Sequence, residues 1–259
     1  MPPGMANLAA YLGPAVEIAR IVEAEPSPTA LRDPFRQPFS SAWYPDDGRG
    51  EPVRHASRAA VPADDPLLDV PRRFGAECIV ASLGPGGGDD GQPFTYGPLT
   101  FAWDGDLEGY AEIFEPALME RLSPDARLAT RHRTPASLLF MTWLDHLQGR
   151  TDADALADAL ERMVGGLQDL ALTRQAAATF AVVATNGECL VTLRTGTDPT
   201  LPPLYTIVAT DESTPLPPTG RIVATEPIFP GSWTSVEPHS LTIFTLEDHA
   251  GGRNDAVIE

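Results

Sequence analysis

All eighteen basic residues of this 259-residue chain are arginine, set against 36 acidic residues. With no lysine there can be no Schiff base on a side-chain amine, no lysine-bearing phosphate loop and no Ser-Lys dyad. Two cysteines, Cys78 and Cys189, stand far apart in apolar runs and read as buried free thiols, since neither spacing nor a partner suggests a zinc site. Asp104, Glu108, Glu112 and Glu115 form an acidic run at a helix start. Paired carboxylates can do general acid–base work, but the helix macrodipole favours acids there regardless of chemistry. Arg131-His132-Arg133 is the one dense basic patch, able to grip a carboxylate or simply to offset neighbouring acids. His55, His146, His239 and His249 lack metal-ligand spacing. The run Gly84-Pro-Gly-Gly-Gly-Asp-Asp-Gly91 lacks the Lys-Ser/Thr ending of a phosphate cradle and carries two aspartates, so a plain loop is expected. No metal or organic cofactor is expected.

The net charge is −18 and the pI about 4.5. Such a surface repels phosphate backbones and anionic membranes, which argues against nucleic-acid or membrane binding. No apolar stretch approaches the length of a membrane span, and no signal-peptide pattern opens the chain, so a cytoplasmic protein is expected. Hydrophobic content of 42% suits a folded globular chain. The expectation is one domain over residues 1–247 with a flexible C-terminal tail over 248–259.

The elements that must position these groups follow from periodicity and punctuation. Leu8–Leu12 reads as a strand leading into a short amphipathic helix up to Ala24, on the spacing of Val16, Ile18, Ala19, Ile21 and Val22. Ser41–Tyr44 reads as a strand ended by Pro45-Asp-Asp-Gly48, residues 49–73 as loop and short helix, and Glu77–Leu83 as a β-type run. Leu99–Trp103 is expected to be a strand closed by Asp104-Gly105, and Gly109–Leu122 a helix. Thr134-Pro135 opens a helix to Leu147, and Asp152–Ala176 a longer one. Strands are expected at Thr179–Thr185 and Glu188–Arg194, joined by an Asn186-Gly187 turn, and at Tyr205–Ala209, Ile222–Ala224 and Leu241–Thr245. Strands, two helices, then strands again suggest an α+β arrangement of two sheets between helical layers rather than a parallel βα sheet.

Several segments carry a family resemblance in order. They are Met5-Ala-Asn-Leu-Ala-Ala-Tyr-Leu-Gly13, Ser41-Ala-Trp-Tyr-Pro-Asp46, Pro93-Phe94 with Phe101-Ala-Trp-Asp-Gly105, Asn186-Gly187 with Arg194, Val223-Ala-Thr-Glu-Pro227, and Val236-Glu-Pro-His-Ser-Leu241. Together the chain resembles the class II glutamine amidotransferase-like proteins of the N-terminal-nucleophile hydrolase fold, nearest the branch holding the gamma-glutamyl amidohydrolase of ergothioneine biosynthesis. The resemblance implies a four-layer αββα sandwich of two mainly antiparallel sheets.

It also implies chemistry: a cysteine thiolate attacking a glutamyl amide, Asn and Gly donors for the oxyanion, an Arg for the substrate carboxylate and an Asp for its ammonium. On the matching positions of this sequence the nucleophile is Ala6, the carboxylate-holding residue is Leu83, the oxyanion Asn is Asp104, and the ammonium-binding Asp is Pro135. Gln92 and Trp103 stand where the family has histidines, and only Gly105 is kept. An alanine methyl cannot attack a carbonyl, and a carboxylate opposes an oxyanion unless protonated. Ala6, Leu83, Trp103, Asp104, Gly105 and Pro135 are therefore expected to outline a remnant pocket, with Trp103 plugging it. The reading that follows is a catalytically silent subunit that binds another protein, an active paralogue or a pathway enzyme, as a homo- or hetero-oligomer. Two alternatives stay open: a hydrolase with a rebuilt site using Asp104 and His132, and a small-molecule binding module.

Overall fold

The computed structural model describes residues 7–17, 39–45, 50–56, 75–83, 91–130, 132–209, 214–246 and 253–257. Two antiparallel sheets lie face to face. The seven-stranded sheet contains β1 (Asn7–Glu17), β2 (Phe39–Trp43), β3 (Val53–Ala56), β4 (Gly75–Leu83), β9 (Tyr205–Val208), β10 (Arg221–Ala224) and β11 (Thr234–Ser235), in the order β11-β9-β10-β1-β4-β2-β3. The six-stranded sheet contains β5 (Phe94–Tyr96), β6 (Leu99–Leu107), β7 (Ala178–Thr185), β8 (Cys189–Gly196), β12 (Ser240–Thr245) and β13 (Arg253–Val257), in the order β13-β12-β8-β7-β6-β5. A single turn of π-helix (Tyr110–Phe114) runs into α1 (Glu115–Arg121), followed by α2 (Pro124–Ala129), α3 (Pro135–Leu147) and α4 (Ala153–Arg174).

The period-2 alternation of β6 to β8 sorts their side chains between two cores. Phe101, Phe180, Val182, Val191 and Leu193 face α3 and α4 and form the largest core, where Trp143 is fully buried. Ala102, Ala181, Val183 and Leu190 face the other way and meet Leu8, Ala10, Leu12, Val80 and Val223 of the seven-stranded sheet. A third core, with Tyr11, Trp43, Ile79 and Ile222, lies on that sheet's outer face under Leu216, Ile228 and Phe229. The α+β sandwich is thus as expected. Among the described residues its helices all lie on the six-stranded side, and residues 18–38 and 57–74 fall outside the description.

Local chemistry explains the helix starts. The Thr134 hydroxyl accepts from Ser137 N–H at 3.3 Å with Pro135 in the first turn, a cap worth about 1 kcal/mol. The Asp152 carboxylate accepts from Ala155 N–H at 3.0 Å, which holds its pKa below the usual aspartate range. The two sheets are tied by a polar clamp inside the apolar gap. Tyr44 donates to the Pro98 carbonyl at 2.8 Å and lies 2.8 Å from Thr100 Oγ1, while Cys78 Sγ lies 3.3 Å from Thr185 Oγ1. Both cysteines are free and buried, and burial pushes each thiol up to about 12.

Five expectations need correction. The helix foreseen from Tyr11 is strand up to Glu17, because Val16 and Glu17 resume pairing with Ala76 and Gly75 beyond a bulge; residues 18–24 lie outside the described residues. β6 does not stop at Asp104-Gly105, because these residues pair with Ala181 and Phe180 and the ladder continues to Leu107. Val53–Ala56, read as loop, is a strand on β2. The single helix over 109–122 begins as the π-helical turn. Arg253–Val257, placed in a flexible tail, pairs with β12.

Candidate functional site

Ala6 lies outside the described residues; β1 begins beside it at Asn7, which pairs with Leu83 at the end of β4, and Leu83 pairs in turn with Phe39. One residue inward, Leu8 N–H donates to Thr225 Oγ1 at 3.0 Å and Thr225 N–H to the Leu8 carbonyl at 2.9 Å. Thr225 leads directly to Glu226, whose charge acts on Asp104 across the gap. The start of β1, the ends of β4 and β10 and the Asp104 stretch of β6 therefore converge on one corner of the sandwich.

Asp104 pairs with Ala181, whose side chain lies between the sheets, so the Asp104 carboxyl points into the same gap. It is only 4% exposed. Burial raises its pKa, the Gly105 N–H hydrogen bond opposes that, and the Glu226 charge raises it further, leaving it pushed up to about 7. At neutral pH this carboxyl is poised between acid and anion.

Trp103 faces the other way. It pairs with Val182 in the helix-side core, and its Nε1–H points at the Thr179 carbonyl at 3.3 Å. The expected plug is therefore not in the gap. The residue is instead the reason Gly105 is glycine: a Cβ there would sit 2.1 Å from the Thr179 carbonyl oxygen and 2.8 Å from Trp103 Nε1. Gly105 is thus required by packing alone. Gln92 is also recruited to structure, its amide donating to the Trp103 carbonyl at 2.7 Å and accepting from Trp103 N–H, as a neighbouring strand would. Pro135 is the first residue of α3, in the helical layer. The structure thus gathers Asp104, Gly105 and the Leu83 backbone at one corner and assigns Trp103 and Pro135 to the helix side of the six-stranded sheet.

The acidic run does not act as a set. Glu108 accepts from Ala177 N–H at 2.9 Å, Glu112 is exposed, and Glu115 meets Arg133 at 3.6 Å. His132 is exposed on the loop before α3, its carbonyl accepting from Ser137 Oγ at 2.7 Å. Arg131, His249 and Gly84–Asp90 lie outside the described residues. Arg194 is a bracket, donating to the carbonyls of Pro202 at 2.8 Å and Val236 at 2.6 Å. Among the described residues no cluster of His, Cys, Asp or Glu could hold a metal ion, and no helix is long and apolar enough to cross a membrane.

Sequence reasoning missed the polar row facing Asp104's gap. Thr225, just past β10, bonds the Leu8 backbone of β1, and beyond Leu8 stand Ser82 of β4 and Ser40 of β2. Ser40 is 1% exposed and its Oγ finds no hydrogen-bond partner. The available signal was a serine in each of two otherwise largely apolar strands, Ser40 in β2 and Ser82 in β4.

No protein-family model and no curated protein sequence matches the chain. Solved structures do. A glutamine aminotransferase class-II domain protein from Silicibacter pomeroyi superposes with a TM-score of 0.66 at 20% identity, over 96% of this chain and 99% of that one. The chain has the class II glutamine amidotransferase fold. Glutamine phosphoribosylpyrophosphate amidotransferase from B. subtilis has the same fold over 49% of its own length, with a TM-score of 0.64 at 13% identity and 96% of this chain covered. A protein described as a predicted glutamine amidotransferase from Pseudomonas aeruginosa gives 0.53 at 15% identity, over 94% of this chain and 96% of that one.

Proposed function

We propose that this chain is a catalytically silent protein of the amidotransferase fold that works by binding another protein, as a structural or regulatory subunit of a pathway enzyme. The observation that carries this reading is the buried carboxyl of Asp104, turned into the intersheet gap beside Glu226, where the resemblance calls for a neutral oxyanion donor. Loss of one such donor raises a barrier by about 3–4 kcal/mol, and alanine at position 6 removes the covalent route altogether. The scaffold around it is intact: three cores, capped helices and the Tyr44 clamp. The nearest branch by resemblance points to thiol-histidine metabolism as the setting, in the cytoplasm.

An obligate partner would bury about 2000 Å² or more. Co-expression with the products of its own operon, followed by pull-down and native mass measurement, should return a defined complex. A strict monomer that retains none of them refutes the proposal. A second reading, hydrolysis at a rebuilt site, draws on the raised pKa of Asp104, since a general base is best poised near the working pH. Its other candidate, His132, is exposed on the loop before α3. Turnover of glutamine, gamma-glutamyl amides or gamma-glutamyl thioether conjugates by the pure protein would favour that reading over silence.

A further inference from the structure

We propose that the Asp104 corner of the intersheet gap binds a small primary ammonium ion, between the Asp104 carboxylate of one sheet and the Ser40 hydroxyl of the other. Register turns both groups into the gap. Asp104 pairs with Ala181, and Ser40 pairs with Ser82, itself the partner of Leu8. Ala181 and Leu8 belong to the intersheet core, and paired residues of antiparallel strands share a face.

Two ties show how the strands lie across one another. Tyr44 reaches the Pro98 carbonyl and Thr100 at the start of β6. Two residues back, Ala42 pairs with Arg54, whose guanidinium donates to the carbonyls of Pro93 at 2.9 Å and Gly91 at 2.6 Å. Those two residues flank Gln92, which bonds the Trp103 backbone. The chain from Tyr44 through Ala42 to Ser40 therefore follows β6 from Thr100 through Ala102 to Asp104, and both groups stand at the same end of the gap.

The charges there do not balance. Asp104 is 4% exposed, and the hydrogen bond that favours its charged form comes from Gly105 N–H. An ionised carboxyl has about four acceptor positions to fill. Among the described residues the charge acting on it is a second carboxylate, Glu226. The arginines of nearby strands are turned onto main-chain carbonyls, Arg54 as above and Arg194, the partner of Ala181, onto Pro202 and Val236. The facing positions on β1, β4 and β2 are Leu8, Ser82 and Ser40, and none of them titrates. Ser40 Oγ, 1% exposed, has no hydrogen-bond partner. A buried hydroxyl left unpaired is costly and calls for an explanation.

Two carboxylates and a lone hydroxyl are complemented by one positive charge that carries hydrogen-bond donors. They are too few for Ca²⁺, which takes six to eight oxygens. A primary ammonium brings three donors and a single compact charge. With no lysine in the chain, no side chain of this protein carries that group. Proton and ammonium compete for one carboxylate, so the ion binds better as pH rises through the Asp104 value of about 7.

The proposal stands whether or not the chain has a protein partner. Thermal unfolding of the full chain at fixed ionic strength tests it, with tetramethylammonium chloride replaced stepwise by methylammonium chloride. At pH 8.5 the melting temperature should rise saturably with methylammonium and not with potassium, which has the charge without the N–H donors. At pH 5.5 the half-effect concentration should be about thirtyfold higher, the factor set by protonation at about 7. Asp104→Asn should abolish the response, and Ser40→Ala should weaken it severalfold. Should Asp104→Asn fail to fold, Glu226→Gln carries the test by weakening the response at pH 8.5. Hydrogen exchange on binding should slow at Leu8 and Gly105. Equal melting in the two salts at pH 8.5, an equal effect of potassium, or an unchanged response in folded Asp104→Asn or Ser40→Ala would overturn it.

Discussion

Replacing Asp104 with Asn tests the electrostatics of the corner where chemistry would be expected. An aspartate titrates near 3.9 in an unfolded chain, whereas burial and Glu226 push Asp104 up to about 7 in the fold. Between those values the folded protein holds a proton that the unfolded chain has released, so this group's contribution to stability falls as pH rises and levels off above about 7. The slope is up to about 1.4 kcal/mol per pH unit, and the whole loss across the window is about 4 kcal/mol. Asn is nearly isosteric, keeps an oxygen for the Gly105 N–H, and carries no titrating proton. Urea unfolding of both proteins, followed by circular dichroism at constant ionic strength, isolates the term because every other carboxylate is common to the pair. The variant should gain on the parent steadily from about pH 4 to about pH 7 and by little more beyond. A stability difference that stays constant over that window refutes the buried, gap-facing placement of this carboxyl.

Three further substitutions probe the scaffold. Gly105→Ala would drive a methyl to 2.1 Å from the Thr179 carbonyl oxygen, and denaturant unfolding should register a loss of about 3 kcal/mol, the upper range for overpacking. Tyr44→Phe removes the hydroxyl that bridges Pro98 and Thr100 between the sheets; the orphaned acceptors should cost about 1–3 kcal/mol, read as a lower urea midpoint at unchanged slope. Thr219→Asn keeps the left-handed turn with a residue that tolerates it, and should raise stability by roughly 1 kcal/mol by thermal melt.

Much of the sandwich was legible because its strands alternate and its punctuation is unambiguous. The Asn186-Gly187 turn forms as read, with Asn186 Oδ1 accepting from Glu188 and Cys189 N–H. Both long helices start at their foreseen caps. The misreadings came where tertiary pairing outvoted local pattern. Val16 stands three residues before Ala19, a helical spacing, yet Ala76 pairs with it and holds it in a strand. Asp-Gly is a strong turn signal, yet Ala181 and Phe180 carry the ladder through Asp104 and Gly105. For the site, the sequence named the residue types but not the faces they occupy. Counting parity from Ala102, an intersheet residue, would have sent Trp103 to the helices and Asp104 to the gap.

The most direct measurement of catalytic silence is ammonia release from glutamine and from a gamma-glutamyl amide by pure full-length protein at high concentration. The account predicts no release above the protein-free rate at any pH from about 5 to about 8, the span over which Asp104 changes charge. Sustained turnover that disappears in the folded Asp104→Asn variant would contradict it.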